Sequence, residues 1–275
     1  MKRAAFIVAA AGAALLAQSA MAQGTISSGN AFYTRGAWPT TAGGLATTVN
    51  QNAADMRMAG AAGTDHAWDF QWWYRFSADT RERTLVSPTS TSWGGSSGNN
   101  GFTLSGATGV TAQVAYNISD PDGAGGSLGY NLVATMVVTN SGASAVGMSI
   151  FSYFDTFLNG DDAGDTSVLQ SADTLRLSQG ATTLFFQGVG AQNYMTAAWS
   201  ATGGAGSVAD SAITNYNNTI TGSGGSDIAS GWQWTNISIG PGQSQTFTAV
   251  ISTVPTPGAI ALAGFAGLAG LRRRR

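Results

Sequence analysis

Apolar residues recur at every second position through most of this chain. Phe70, Trp72, Tyr74 and Phe76 alternate with Gln71, Trp73 and Arg75. Val110, Ala112, Val114, Tyr116 and Ile118 repeat the pattern, as do Tyr130, Leu132, Ala134, Met136 and Val138. After an Asn140-Ser-Gly-Ala turn come Val146, Met148, Ile150 and Phe154. Trp232 and Trp234 precede Gly240-Pro241-Gly242, and Phe247, Ala249 and Ile251 follow it. A period of two bounded by Gly, Asn and Ser turns predicts half-buried strands. The run over 130–157 predicts a hairpin. Between the two chain ends no window of 12 residues follows a period of 3.6, and only 207–216 has room for a helical turn or two. Many short strands without interleaved helices predict an all-β fold, an antiparallel β-sandwich in a single domain. Residues 24–63 are the least regular and predict one N-terminal strand plus a loop.

The two ends break this pattern. Residues 1–22 have the order of a secretory signal peptide: Lys2 and Arg3, an apolar stretch from Ala4 to Ala17, and Ala20-Met21-Ala22 ahead of Gln23. Residues 254–275 hold a Pro255-Thr256-Pro257-Gly258 punctuation, an apolar run from Ala259 to Leu271, and Arg272, Arg273, Arg274 and Arg275. The apolar run has 13 residues, a rise of about 20 Å against roughly 30 Å of hydrocarbon. Arginines directly after such a run hold that end in the cytoplasm. The tail therefore predicts transient membrane insertion, with the 23–253 domain exported.

This tripartite tail resembles a PEP-CTERM sorting signal, with Thr256 where the motif of that family carries Glu. The resemblance implies the general secretion machinery and an exosortase as partners, with cleavage near Pro255–Pro257. The central domain is similar to uncharacterised secreted proteins that carry such tails. The similarity rests on DFQWWYRFSADTRERTL at 69–85, Tyr153-Phe154-Asp155, Trp232-Gln233-Trp234 and Pro241-Gly-Gln-Ser. It implies a cell-surface or matrix role, associated with exopolysaccharide, and brings no activity with it.

Composition narrows the chemistry. Once the two ends are set aside, six arginines remain beside all 14 acidic residues, a net charge near −8. An acidic surface without basic clusters excludes nucleic acid as a partner. There is no Cys, so packing, with or without an ion, must stabilise the fold. Charged residues make up only 9% of the chain, and Ser, Thr, Asn and Gly take over the surface. Trp, Tyr and Phe remain plentiful enough to build a core.

Few residues offer catalysis. His66 is the only histidine and no Gly-x-Ser-x-Gly elbow accompanies it, which argues against a nucleophilic triad. Asp155, Asp161, Asp162 and Asp165 are numerous enough for paired-carboxylate chemistry. Read as members of a Gly-rich loop, they are expected to stay solvated with low pKa values. The same stretch, with Asn159, offers oxygen ligands for a structural calcium ion, although its spacing is not that of an EF-hand. Trp73 and Trp93 are the candidate glycan contacts, Trp73 because it shares a face with Gln71 and Arg75. Two function classes result. One is a non-enzymatic cell-envelope or matrix protein. The other is a secreted carbohydrate-binding or glycan-active module. A cleft with converging carboxylates or exposed aromatics would favour the second.

Overall fold

The computed structural model describes residues 24–49, 54–57, 63–120, 129–221 and 226–253. The signal segment with Ala20, Ala22 and Gln23, and the tail from Pro255 to Arg275, lie outside the described residues. Among the described residues, no helix is long and apolar enough to cross a membrane.

The strands, in chain order, are β1 (Gly24–Ser28), β2 (Ala31–Arg35), β3 (Ala54–Arg57), β4 (Ala67–Phe76), β5 (Arg83–Thr84) and β6 (Ser90–Gly94). There follow β7 (Ser97–Thr103), β8 (Val110–Ser119), β9 (Asn131–Asn140), β10 (Val146–Thr156), β11 (Thr166–Ser171) and β12 (Thr174–Gln179). The last are β13 (Thr182–Val189), β14 (Asn193–Ala198), β15 (Thr219–Ile220), β16 (Ile228–Ile239) and β17 (Gln243–Ser252). They form a six-stranded sheet in the order β15-β14-β16-β10-β4-β5 and an eight-stranded sheet in the order β11-β12-β13-β17-β9-β8-β7-β6. A three-stranded sheet, β1-β2-β3, flanks them where one strand plus a loop was expected. Among the described residues of the two large sheets, only the β14–β15 pair is parallel.

The alternation read from the sequence sets the core. Phe70, Trp72, Tyr74 and Phe76 of β4 are all buried against the inward residues of the eight-stranded sheet. Phe70 meets Phe186 of β13 edge-on at 6.3 Å, and Trp234 of β16 meets Phe247 of β17 at 5.9 Å. Ring pairs of this geometry add to area burial. The fold is thus an antiparallel β-sandwich.

The expected 130–157 hairpin does not form. β9 pairs with β8 and β17 in the eight-stranded sheet, whereas β10 pairs with β4 and β16 in the six-stranded one. The turn after Asn140 carries the chain across the sandwich. Alternation specifies which face of a strand is buried, and either sheet satisfies it; it does not specify the neighbour.

The six-stranded sheet is covered on its outer face as well. Trp73, Phe151 and Tyr153 lie beneath Val49, Tyr216 and the 3-10 segment Gly204–Ala209. Tyr216 stands edge-on over Phe151 at 5.5 Å and donates its hydroxyl to Ala205 O at 2.9 Å. The glycine at 231 makes that close approach possible, since a Cβ there would fall 2.5 Å from the tyrosine ring. Glu82, fully buried, pairs with Arg75 and accepts the Thr214 amide at 2.9 Å, which fastens this cover to the sheet. A sheet sandwiched on both sides explains why β4 reads apolar on both faces.

Candidate functional site

Of the two aromatics expected to meet a glycan, one is buried and the other half-buried. Trp73 is fully buried under the outer cover, which corrects its assignment as a contact residue. Trp93, half-buried, stacks on Tyr116 at 5.5 Å and 25° and donates Nε1 to Asn100 Oδ1 at 3.2 Å. Its rings lie against the backbone at Gly24 and Gly98, where a Cβ would fall within 1.9 and 2.4 Å of the indole.

The acidic stretch divides in two. Asn159 and Asp161 turn to the β12–β13 hairpin. Asn159 Nδ2 donates to Gln179 Oε1 at 2.7 Å, the Thr182 hydroxyl donates to Asn159 Oδ1, and Gln179 Nε2 donates to Asp161 Oδ1. Asp155, Asp162 and Asp165 lie on the other side. Asp155 is not a loop residue. It ends the outer-face series Phe151, Tyr153, Asp155 of β10, is 2% exposed, and stands opposite Asp69 of β4. Asp165 is buried, and its Oδ2 accepts the Thr156 hydroxyl at 2.6 Å. Among the described residues, no three carboxylates or imidazoles are arranged to hold a metal ion. The five residues expected to form a calcium site therefore do not converge as a set.

The convergence is elsewhere. At one end of the six-stranded sheet β4 and β16 begin and β10 and β14 end. There, Trp68, Asp155, Asp162, Trp199 and Asp227 line an open cleft of about 220 Å3. Local backbone geometry places each side chain. Asp155 pairs with Asp69 but Thr156 pairs with Ala67, so Trp68 is the extra residue of a β-bulge. Without that bulge its phase would follow Phe70 into the core; with it, Trp68 is 42% exposed and its ring meets Phe157 at 5.3 Å. Bulges of this kind re-aim a side chain at a sheet edge or beside a site. Trp199, 37% exposed, follows β14, and its amide donates to Asp227 O at 2.9 Å. Asp227 directly precedes β16. That hydrogen bond ties one tryptophan and one carboxylate into the same wall.

The cleft is acidic. Among the described residues, no basic side chain lines it, and Oδ1 of both Asp155 and Asp227 lacks a hydrogen-bond partner. Burial first, then the carboxylates of Asp227, Asp69 and Asp162, push Asp155 up to about 10. Burial, with Asp162 and Asp165, pushes Asp227 up to about 7. Asp165 rises to about 6, burial outweighing its bond from Thr156. Asp155 is therefore a proton donor at neutral pH, and Asp227 sits near its midpoint. Two indole faces, one neutral carboxylic acid and acceptor oxygens are the groups that meet the C–H faces and hydroxyls of a sugar ring.

His66 supports this end of the fold. Its Nδ1 accepts the Asn159 amide at 3.3 Å, and burial lowers its pKa to about 4. It is a neutral hydrogen-bonded residue, in line with the argument against a triad. Trp68, Trp199 and Asp227 were not singled out from sequence. Trp68 was in phase with a core series, and the other two flank strands at positions where periodicity carries no information.

No family model and no curated protein matches the sequence. Among solved structures, the chain is similar to a polysaccharide lyase (11% identity, TM-score 0.43) over 82% of its own length and 32% of that chain. It is similar to a putative aldose 1-epimerase from Escherichia coli K12 (9% identity, TM-score 0.48) over 84% of its length and 98% of that chain. A putative kojibiose phosphorylase from the human microbiome matches at 8% identity and TM-score 0.35, over 90% of this chain and 29% of that one. The chain thus spans about a third of the lyase and of the phosphorylase. At these scores the likenesses support no reading of the site, which rests on its own residues.

Proposed function

We propose that this is an exported cell-envelope protein whose β-sandwich domain binds a neutral or amino-substituted glycan in the Trp68–Trp199 cleft. The observation that carries the reading is the meeting of two exposed tryptophans with Asp155, Asp162 and Asp227 around one small cleft. Scattered surface aromatics need no explanation. Two of them bracketing a buried carboxyl group, that of Asp155, do. The acidity of the lining sets the ligand class: a uronic acid polymer would bring like charge into it, whereas hydroxyl and ammonium groups are matched. Export and C-terminal processing are proposed from the order of the two chain ends.

A glycan array carrying neutral, N-acetylated and uronic acid oligosaccharides tests the reading. Retention of neutral or amino sugars is expected, with uronates rejected. Trp68→Ala and Trp199→Ala should each weaken retention several-fold, since a ring contact contributes about 0.5–1.5 kcal/mol beyond its area. The melting temperature should barely move. Retention unchanged in both variants would refute the assignment. Mass spectrometry of protein recovered from culture reads both termini. A mature chain starting before Gln23, or still ending at Arg275, would count against the processing scheme.

A further inference from the structure

Resting on the glycan reading of the same cleft, we infer that the site also hydrolyses a glycosidic bond, with Asp155 as the proton donor and Asp227 as the base. The geometry separates the two carboxyl groups by role. Asp155 is sunk to 2% exposure at the end of β10, on the floor of the cleft, with Oδ1 unpartnered. Asp227 is less buried, on the wall, held through its own carbonyl by the Trp199 amide at 2.9 Å. A carboxyl group buried beside other carboxylates keeps its proton, and one nearer solvent can lose it. Glycoside cleavage requires that division between two carboxyl groups. The other titratable groups facing Asp155 are Asp69 from β4, Tyr153 on its own strand, and Asp162 from the following turn. Burial and the carboxylates of Asp227, Asp69 and Asp162 favour retention of the proton, and together they outweigh the opposing effect of Tyr153.

In the reaction, the Asp155 O–H gives its proton to the glycosidic oxygen as the bond from that oxygen to the anomeric carbon breaks. Asp227 takes a proton from a water whose oxygen bonds to the anomeric carbon. The products are two free sugar ends. Asp155 is left ionised and Asp227 protonated, and one proton exchanged through solvent restores both. No oxidant, reductant or cofactor is needed.

The full chain, as recovered from the producing cells, is given phenyl and 2,4-dinitrophenyl glycosides of glucose, galactose, mannose and N-acetylglucosamine in both anomeric forms. Release of the phenol is followed, and calorimetry measures binding of the corresponding sugars. Hydrolysis of at least one phenyl glycoside is expected. Asp155→Asn replaces a neutral acid by a neutral amide of the same shape, so the fold should hold, and the melting temperature checks this. The variant should lose about 10²–10⁴-fold on the phenyl glycoside. It should lose far less on the dinitrophenyl one, whose leaving group needs no proton. Asp227→Asn should lose comparably on both. A purely structural role for Asp155 would lower both substrates equally, and that result overturns the assignment. Sugars that bind without any glycoside being cleaved would refute hydrolysis and leave the binding reading standing. Absence of both binding and cleavage would refute the glycan reading itself.

Discussion

Trp68 and Trp73 lie on one strand and face opposite fates. Trp73 belongs to the outer series of β4 and is sealed under Val49 and the Gly204–Ala209 segment. Trp68 is the bulged residue at the strand's start and stands in the cleft. Trp73→Ala should therefore cost on the order of 3–5 kcal/mol, the range for removing a buried large aromatic. It should have no effect on glycan retention beyond the folded fraction. Trp68→Ala should show the reverse, a stability change within about 0.5 kcal/mol and a loss of retention. Urea denaturation and the glycan array, run on both variants, check this; equal stability losses would contradict it. The contrast also marks what was legible at this scale. Alternation correctly gave the inward face of β4. It could not reveal a one-residue bulge, which leaves the composition of the strand untouched and changes only its phase. Asp155 was misread for a related reason. Its neighbours Asn159, Gly160 and Asp161 look like a loop, yet the strand extends to Thr156 and takes the carboxyl group into the interior.

At the scale of elements, the connection from β9 to β10 decides the topology. Asn140 ends β9, is fully buried, and organises the crossing. Its Nδ2 donates to Ser144 O at 2.8 Å and to Ile239 O at 2.9 Å. Its Oδ1 accepts the Gly142 amide at 2.9 Å, and its backbone carbonyl accepts the Gly242 amide at 2.7 Å. Ile239 and Gly242 flank the turn between β16 and β17, which also switches sheets. One side chain thus binds both crossovers at the same end of the sandwich. Asn140→Ala takes this donor from the buried Ile239 carbonyl and unfastens the turn at Gly142 and Ser144, and should cost on the order of 2–3 kcal/mol. The midpoint of urea unfolding should fall with the m-value unchanged. A variant as stable as the parent would show that the crossovers hold without it. The sequence around Asn140-Ser-Gly-Ala reads as a turn, and it is one; the sheet to which β10 belongs is set by partners far away in the chain, such as Ile239 for Val146 and Phe76 for Met148. The small β1-β2-β3 sheet was unreadable for a different reason: strands of 4–5 residues give too few alternations to establish a period.

For the whole molecule, the buried acids set how stability depends on pH. In the unfolded chain each aspartate ionises near 3.8, whereas in the fold Asp165 holds its proton to about 6, Asp65 and Asp227 to about 7, and Asp155 to about 10. Between those limits the native state carries more protons than the unfolded state, so raising the pH destabilises it. The contribution of each group is complete below about pH 4 and is lost as pH rises through its folded value. His66 acts in the opposite sense. Burial holds it neutral down to about 4, so it costs stability as pH falls below about 6.5. Four carboxyl groups outweigh one imidazole, and the melting temperature should rise as pH is lowered from 8 to 5. Asp155 is the deepest of the carboxyl groups in the cleft, and above about pH 4 it alone should contribute a slope of up to about 1.4 kcal/mol per pH unit. Asp155→Asn removes the titration without removing the neutral shape, so the variant should be more stable than the parent at pH 8 and nearly equal to it at pH 4. Melting curves of the two proteins from pH 4 to 8 check this. Parallel curves would mean that Asp155 ionises in the fold as it does in water, and the division of roles between Asp155 and Asp227 would fall with it.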